Sequence, residues 1–245
     1  MIEEAKIYTP SFYERTKSSS RISADAVVPL VMSWIAPTRV IDLGCGTGEW
    51  LAVFKEAGVQ EIHGVDGTWV RQDQLAIPQQ AFTEQDLKKP YVADRRYDLA
   101  MSLEAAEHLP PESSGSFVQS LTGLAPVVLF SAAIPDQAGE HHVNCQWPAY
   151  WAELFAQRDY VVIDALRPRI WEDPSVRWWY RQNMMIYAHE EQLKRLPVLE
   201  ALRHGQPTRP LPLVHPEMLK GILEWGLGEH RKYMALYLDE KLNTR

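Results

Sequence analysis

Cysteine, basic residues and long apolar runs are all scarce in this 245-residue sequence, and each shortage excludes a class of protein. Two cysteines, Cys45 and Cys145, cannot build a disulfide framework, so a reducing compartment is expected. No apolar run reaches the roughly 18–20 residues that a membrane-spanning helix needs, so no membrane partner is expected. Met1–Pro10 carries Glu3 and Glu4 without the apolar stretch of a secretory signal, which makes a cytoplasmic location the expectation. Lys and Arg number 25 against 32 Asp and Glu, for a net charge of −7. Duplex nucleic acid is bound through basic surface, and this balance argues against it. What remains is the composition of a folded domain: 46% hydrophobic residues and nine tryptophans are enough for a sizeable, aromatic-rich core.

Apolar runs alternate with helical patterns from about residue 20 to 190. The spacing predicts helices over 21–35, 48–57, 111–124 and 148–157. Short β-branched or apolar runs predict strands at 39–43, 61–66, 81–83, 97–103, 126–134, 160–166 and 180–187. Strands separated by helices imply parallel βαβ units. Residues 190–214 are charged and interrupted by Pro197, Pro207, Pro210 and Pro212, and so read as a linker. Beyond them Leu219, Leu223, Leu227, Met234 and Leu238 repeat at helical spacing. The expected organisation is a domain over 1–190, with 1–35 as a helical N-terminal cover, followed by 191–245 as linker and helical extension. That extension either docks on the domain or pairs two subunits into a homodimer.

Val40-Ile41-Asp42-Leu43-Gly44-Cys45-Gly46-Thr47-Gly48 ends the first strand and opens a helix. Its glycines permit a tight turn and close approach of backbone to a ligand. A dinucleotide fingerprint would require glycine where Glu49 stands, and that carboxylate would repel a pyrophosphate, which argues against a nicotinamide-dependent dehydrogenase. Gly64-Val65-Asp66-Gly67 closes the second strand, and Gln85-Asp86-Leu87 follows the third. In this order, over about residues 38–190, the sequence resembles the class I S-adenosylmethionine-dependent methyltransferases. The resemblance implies a seven-stranded, mostly parallel α/β sheet with helices on both faces and the seventh strand antiparallel. It also implies a site for S-adenosylmethionine formed by Asp42, Gly44, Cys45, Gly46, Gly48, Asp66, Gly67, Asp86, Leu87 and Leu103. In that reading Asp66 takes the ribose hydroxyls, Asp86 takes the adenine amine, and Ile7–Ile35 covers the cofactor. Tyr8, Phe12 and Tyr13 are then lid residues, and Arg21 reaches the cofactor carboxylate.

The fourth strand leads into Glu104-Ala105-Ala106-Glu107-His108, where ligands of open α/β sheets collect. Transfer to a hydroxyl needs positioning and deprotonation, and an imidazole titrates near neutrality. His108, His142 and Glu107 are the candidate catalytic residues. Glu104-x-x-Glu107-His108 also resembles the metal-binding motif of ubiquinone-pathway O-methyltransferases and small-RNA 3′-terminal methyltransferases. On that resemblance Glu104, Glu107, His108 and His142 would hold Mg²⁺ or Mn²⁺. The alternatives are a metal-free base, which is the expected case, and purely structural histidines. His141, Asn144, Gln146, Trp147, Tyr150 and Trp179 are candidate substrate contacts, with Arg177 and Arg181 as possible holders of an anionic group.

The expected function is methyl transfer from S-adenosylmethionine to a small polar acceptor, an oxygen of a sugar-like or secondary-metabolite substrate. The alternatives are N-methylation, 2′-O-methylation of an RNA end, and a non-catalytic cofactor-binding partner protein.

Overall fold

The structure, a computed structural model, describes residues 10–224, with side chains from residue 18 onward. Helix α1 (Pro10–Ile35) is followed by β1 (Arg39–Leu43), α2 (Glu49–Glu56), β2 (Glu61–Asp66), β3 (Phe82–Glu84) and β4 (Leu99–Leu103). Then come α3 (Ser114–Leu124), β5 (Val127–Ser131), α4 (Pro148–Ala156), β6 (Tyr160–Ile163), α5 (Arg167–Ile170), α6 (Trp178–Asn183) and β7 (Met185–His189). Two short helices, α7 (Glu190–Leu193) and α8 (Pro197–Arg203), complete the run.

The seven strands form one sheet in the order β3-β2-β1-β4-β5-β7-β6. The first five in chain order are parallel, and β7 runs antiparallel between β5 and β6. The fold class is therefore the one expected: α/β, with the class I methyltransferase topology. The order in which strands are added reverses between β1 and its parallel neighbour β4, so a crevice opens beyond their carboxyl ends.

Strand periodicity divides the core. Val40, Ile62, Leu99, Met101, Leu129 and Ile186 face one side, where α1 and α2 contribute Val27, Val28, Val31, Leu51 and Phe54. Ile41, Val65, Ala100, Val128, Phe130 and Tyr187 face the other, covered by α3 and α4 through Phe117, Leu121, Trp151 and Phe155. Phe155 stacks on Tyr187 with ring centroids 3.9 Å apart and an angle of 13° between planes.

Two expectations are corrected. The segment 180–187 is not one strand: α6 occupies Trp178–Asn183 and β7 begins at Met185. Aromatic, β-prone residues there turn helical because tertiary packing outweighs a weak intrinsic preference. The Tyr180 hydroxyl lies 3.4 Å from Ser20 Oγ and receives the Trp50 indole N–H at 3.4 Å, which requires the compact turn. The boundary expected at 190 falls instead at 212, with Met1–Pro212 one compact unit and Leu213–Arg245 another. Residues 191–212 belong to the first unit for two reasons. Leu199 of α8 is fully buried. Buried Arg167 pairs with Asp164 and donates to Leu211 O at 3.1 Å, while Gln206 Oε1 accepts the Asp164 N–H at 2.8 Å. Pro197 therefore opens α8, and Pro207, Pro210 and Pro212 follow that helix without making a linker. In the second unit a helix spans 216–224, with Leu219 and Leu223 exposed; Leu227, Met234 and Leu238 lie outside the described residues. Among the described residues no helix is long and apolar enough to cross a membrane.

Candidate active site

A cavity of about 340 Å³ sits in the crevice between the ends of β1 and β4. On the β1 side it is lined by Asp42 and the turn Gly44–Thr47, and on the β4 side by Leu103, Glu104, Glu107 and His108. The loop after β5 adds Gln137–Glu140 and His142, α1 adds Ser19 and Ser20, and α6 adds Trp178, Trp179 and Tyr180.

The glycine turn is a requirement of this geometry. Gly44, Gly46 and Gly48 have φ of +88°, +53° and +84°. A Cβ on Gly44 would stand 2.5 Å from Ala105 Cβ, and one on Gly48 would stand 2.9 Å from Ile77 Cγ1. Asp66 braces the turn: Oδ2 accepts the Gly46 N–H and Oδ1 accepts the Gly67 N–H, both at 2.7 Å. Burial raises the Asp66 pKa, while these two amides and the Trp69 side chain pull it back. The Trp69 ring lies across Gly67, leaving no room for a Cβ there. Asp66 is thus a buried clamp behind the turn, outside the cavity wall. Leu87 is buried, and Asp86 is exposed, accepting the Lys88 N–H at 3.0 Å.

Asp42 ends β1 with one carboxylate oxygen, Oδ1, buried and without a hydrogen-bond partner. Burial, then repulsion from Asp66, raises its pKa to about 7. Such a group takes up protons on folding, so the stability it withholds grows as pH rises from about 4 through about 7. Asp42→Asn is therefore expected to stabilise the ligand-free protein at pH 8 by roughly 1–4 kcal/mol, with no gain at pH 4. Urea denaturation at the two pH values checks this; equal gains at both would show the effect to be packing.

On the opposite wall, Glu104 has φ of +52°, and its main chain is tied to Ser131 by hydrogen bonds to O at 3.0 Å and Oγ at 3.1 Å. Its carboxylate accepts from Gln137 Nε2 at 2.8 Å and Asn183 Nδ2 at 3.0 Å. Gln182 Nε2 donates to Gln137 Oε1 at 3.1 Å and so extends this amide network. Burial lifts the Glu104 pKa to about 7 against these donors. Glu107 is fully buried, and neither carboxylate oxygen has a hydrogen-bond partner. Burial, then repulsion from Glu104, drives its pKa well up; the Glu107 and Ala133 amides oppose this from outside hydrogen-bonding geometry.

The His108 and His142 rings meet edge to face with centroids 5.0 Å apart. Burial and His142 lower the His108 pKa to about 4, and burial also lowers that of His142. His142 Nδ1 lies 3.0 Å from Gln137 O, and His108 Nδ1 lies 3.3 Å from His141 O. Each Nδ1 therefore carries the hydrogen and each Nε2 keeps its lone pair. Ligand atoms of Glu107, His108 and His142 all lie within 4.8 Å of one another. Glu104 stands outside that trio because its oxygens are committed to Gln137 and Asn183.

Other expected contacts are placed elsewhere. Asn144 is buried, donating to Ser114 Oγ at 2.9 Å and accepting from Gln146 at 3.1 Å, and so fastens the loop to α3. Trp147 is exposed ahead of α4, Tyr150 packs edge-on against Trp151, and His141 is exposed with φ of +58°. Among the expected substrate contacts only Trp179 lines the cavity. Arg181 donates to Trp171 O at 3.0 Å, and Arg177 lies over the Trp179 ring, 5.9 Å from its centroid. Arg21 is engaged with Glu56 at 2.9 Å and Asp25 at 3.1 Å, away from the cavity. Tyr8 and the side chains of Phe12 and Tyr13 lie outside the described residues. Sequence reasoning missed Ser19, Ser20, Trp50, Gln137, Gln182 and Asn183. No motif marks these residues; only packing brings them to the crevice.

Residues 20–195 match the family of methyltransferase domains. Among solved structures, the methyltransferase domain of bacterial CtHen1 is similar at 21% identity and a TM-score of 0.50, covering 68% of this chain and 97% of that one. DesVI of Streptomyces venezuelae is similar at 14% identity and a TM-score of 0.53, covering 76% of this chain and 98% of that one. Magnesium protoporphyrin IX methyltransferase (ChlM) of Synechocystis PCC 6803, solved with bound SAH, is similar at 17% identity and a TM-score of 0.51, covering 71% and 86%. Identities this low carry the fold alone. No curated protein matches the sequence.

Proposed function

Because this chain belongs to the methyltransferase family, we propose that it transfers a methyl group from S-adenosylmethionine to an oxygen of a small polar acceptor, sugar-like or secondary-metabolite in character. The observation that carries this reading is a single cavity bounded by the glycine turn on one wall and by two neutral histidines on the other. The turn suits the cofactor: Gly44, Gly46 and Asp42 line the cavity, and the Asp42 Oδ1 is buried without a hydrogen-bond partner. S-adenosylmethionine supplies, when bound, a methyl group on a positively charged sulfur. Gly44, Gly46 and Asp42 would hold its amino-acid part, and Asp66 would fix the turn that its ribose meets. The histidines then handle the proton. The acceptor hydroxyl donates to Nε2 of His142 or His108, and the imidazole takes that proton as the oxygen becomes the nucleophile. A depressed pKa keeps both rings neutral and ready to accept at pH 7.

A bound divalent ion is the second reading, favoured by the buried Glu107 carboxylate without hydrogen-bond partners beside two imidazoles. Glu107, His108 and His142 would be its protein ligands. One carboxylate and two imidazoles suit Mn²⁺ or a similar ion better than Mg²⁺, which prefers an all-oxygen shell. The test of the main reading is transfer of labelled methyl to a panel of neutral, amine-bearing and acidic sugars. Transfer to a hydroxyl oxygen supports it, and transfer only to nitrogen or to no acceptor rejects it.

A further inference from the structure

We propose that the acceptor side of this cavity recognises a protonated amine, docked between the carboxylates of Glu104 and Glu107 and the aromatic wall of Trp178, Trp179 and Tyr180. The inference rests on the methyltransferase reading of the same site and adds the chemical class of the acceptor. Its first support is charge. Asp42, Glu49, Glu104, Glu107 and Glu140 line the cavity, and among the described lining residues there is no Lys or Arg. Its second is the state of Glu107, fully buried on the wall with neither oxygen hydrogen-bonded. A buried carboxylate is costly without a donor, and among the described residues none donates to it in hydrogen-bonding geometry. Glu104 beside it is held by neutral amides of Gln137 and Asn183, which fix its position and bring no opposite charge.

The third support is the aromatic wall that α6 adds to the lining. Trp178 and Trp179 meet edge to face at 5.6 Å, Tyr180 lies 6.0 Å from Trp179, and Trp50 lies 5.2 Å from Tyr180. Clustered ring faces attract a cation through their quadrupoles, and more strongly away from water. Arg177, 5.9 Å from the Trp179 centroid, already uses one face of that ring and is not itself part of the cavity lining. The cofactor does not satisfy this wall by itself. Its sulfonium and ammonium, less its carboxylate, bring one net positive charge to a cavity with five acidic side chains, and the glycine turn that would hold it is on the β1 side. An ammonium offers three donors and a compact charge to the β4 side. A phosphate or carboxylate placed there would meet acidic side chains and no Lys or Arg of the lining.

The experiment titrates three matched pyranoses, glucosamine, glucose and glucuronate, into the full chain by calorimetry. It is run at pH 7.5, where Glu104 is ionised and a fraction of the amine stays protonated, in chelator, with and without saturating S-adenosylhomocysteine. Glucosamine is expected to bind at least about 10-fold more tightly than glucose, and glucuronate more weakly than either. Glu107→Gln and Trp179→Leu, each checked for folding by circular dichroism, are expected to bring glucosamine down to the glucose level. The inference is overturned if glucuronate matches glucosamine, or if both variants keep the wild-type preference. S-adenosylhomocysteine binding is the independent readout. Its presence without amine preference rejects the amine site and leaves the methyltransferase reading standing. Amine preference without product binding rejects the methyltransferase reading and upholds the amine site. Failure of both rejects both.

Discussion

Replacing His108 or His142 with alanine lowers turnover by about 10²- to 10⁴-fold if the imidazoles remove the acceptor proton, the usual range for general-base assistance. Chelator then has no effect, and the acid limb of the rate has a shifted position. A base works in its deprotonated form, so activity is lost as pH falls through the pKa of the folded state. Burial holds His108 at about 4, so the limb attributable to it lies near pH 4 and not at the usual value near 6.5. A metal site gives a different pattern. Chelator inactivates, Mn²⁺ restores, and Glu107→Ala behaves like His108→Ala because these two and His142 form the ligand trio. Glu104→Ala separates the readings further. Its carboxylate is bound to Gln137 and Asn183, so the trio without it predicts retained metal response in that variant. Turnover of the four alanine variants with and without chelator decides. If all four keep wild-type turnover, both readings fail and positioning alone would carry the reaction.

Asp66→Ala is expected to weaken S-adenosylmethionine binding by roughly 1.5–3 kcal/mol, about 10- to 150-fold, through loss of charge-assisted hydrogen bonds. The structure gives this loss a route beyond direct contact with ribose. Asp66 receives the amides of Gly46 and Gly67, and without it the glycine turn loses its brace. Asp66→Asn should do nearly as badly, because one end of an amide is a donor and would face a backbone N–H. Amide hydrogen exchange tests the brace directly: Gly46 should exchange faster in Asp66→Ala even in the absence of cofactor. Unchanged exchange with weakened binding would assign the loss to ribose contact alone. Unchanged affinity in a folded variant would remove Asp66 from the cofactor site altogether.

What could be read in advance came from local constraints. The strand Val40–Leu43 and its glycines were legible because burial selects β-branched residues and a left-handed backbone selects glycine, and both leave marks on neighbouring positions. The same holds for Leu99–Leu103 and Val127–Ser131, whose continuous apolar runs reflect cover on both faces. Family membership followed from these motifs in order. The third strand was found to within a residue; the fourth was read two residues early, at Tyr97 and Asp98, and the fifth and sixth were read too long because apolar residues continue past their last ladder hydrogen bonds.

The sequence by itself determined the α/β class, the succession of strands along the chain, the glycine turn and the carboxylates at the strand ends, since each is imposed by residues adjacent in the chain. Tertiary structure alone decided which of those groups share the cavity. Asn144 and Tyr150 look like substrate contacts in the chain and are fastened to Ser114 and Trp151 in the fold. Gln137 and Asn183, 46 residues apart, carry no motif and meet only because β5 and β7 are neighbours in the sheet. Tertiary structure also decided the ionisation of the site. A carboxylate in water and the same carboxylate sealed without a donor, as at Glu107, are identical in sequence, and desolvation separates them only once the chain has closed around it.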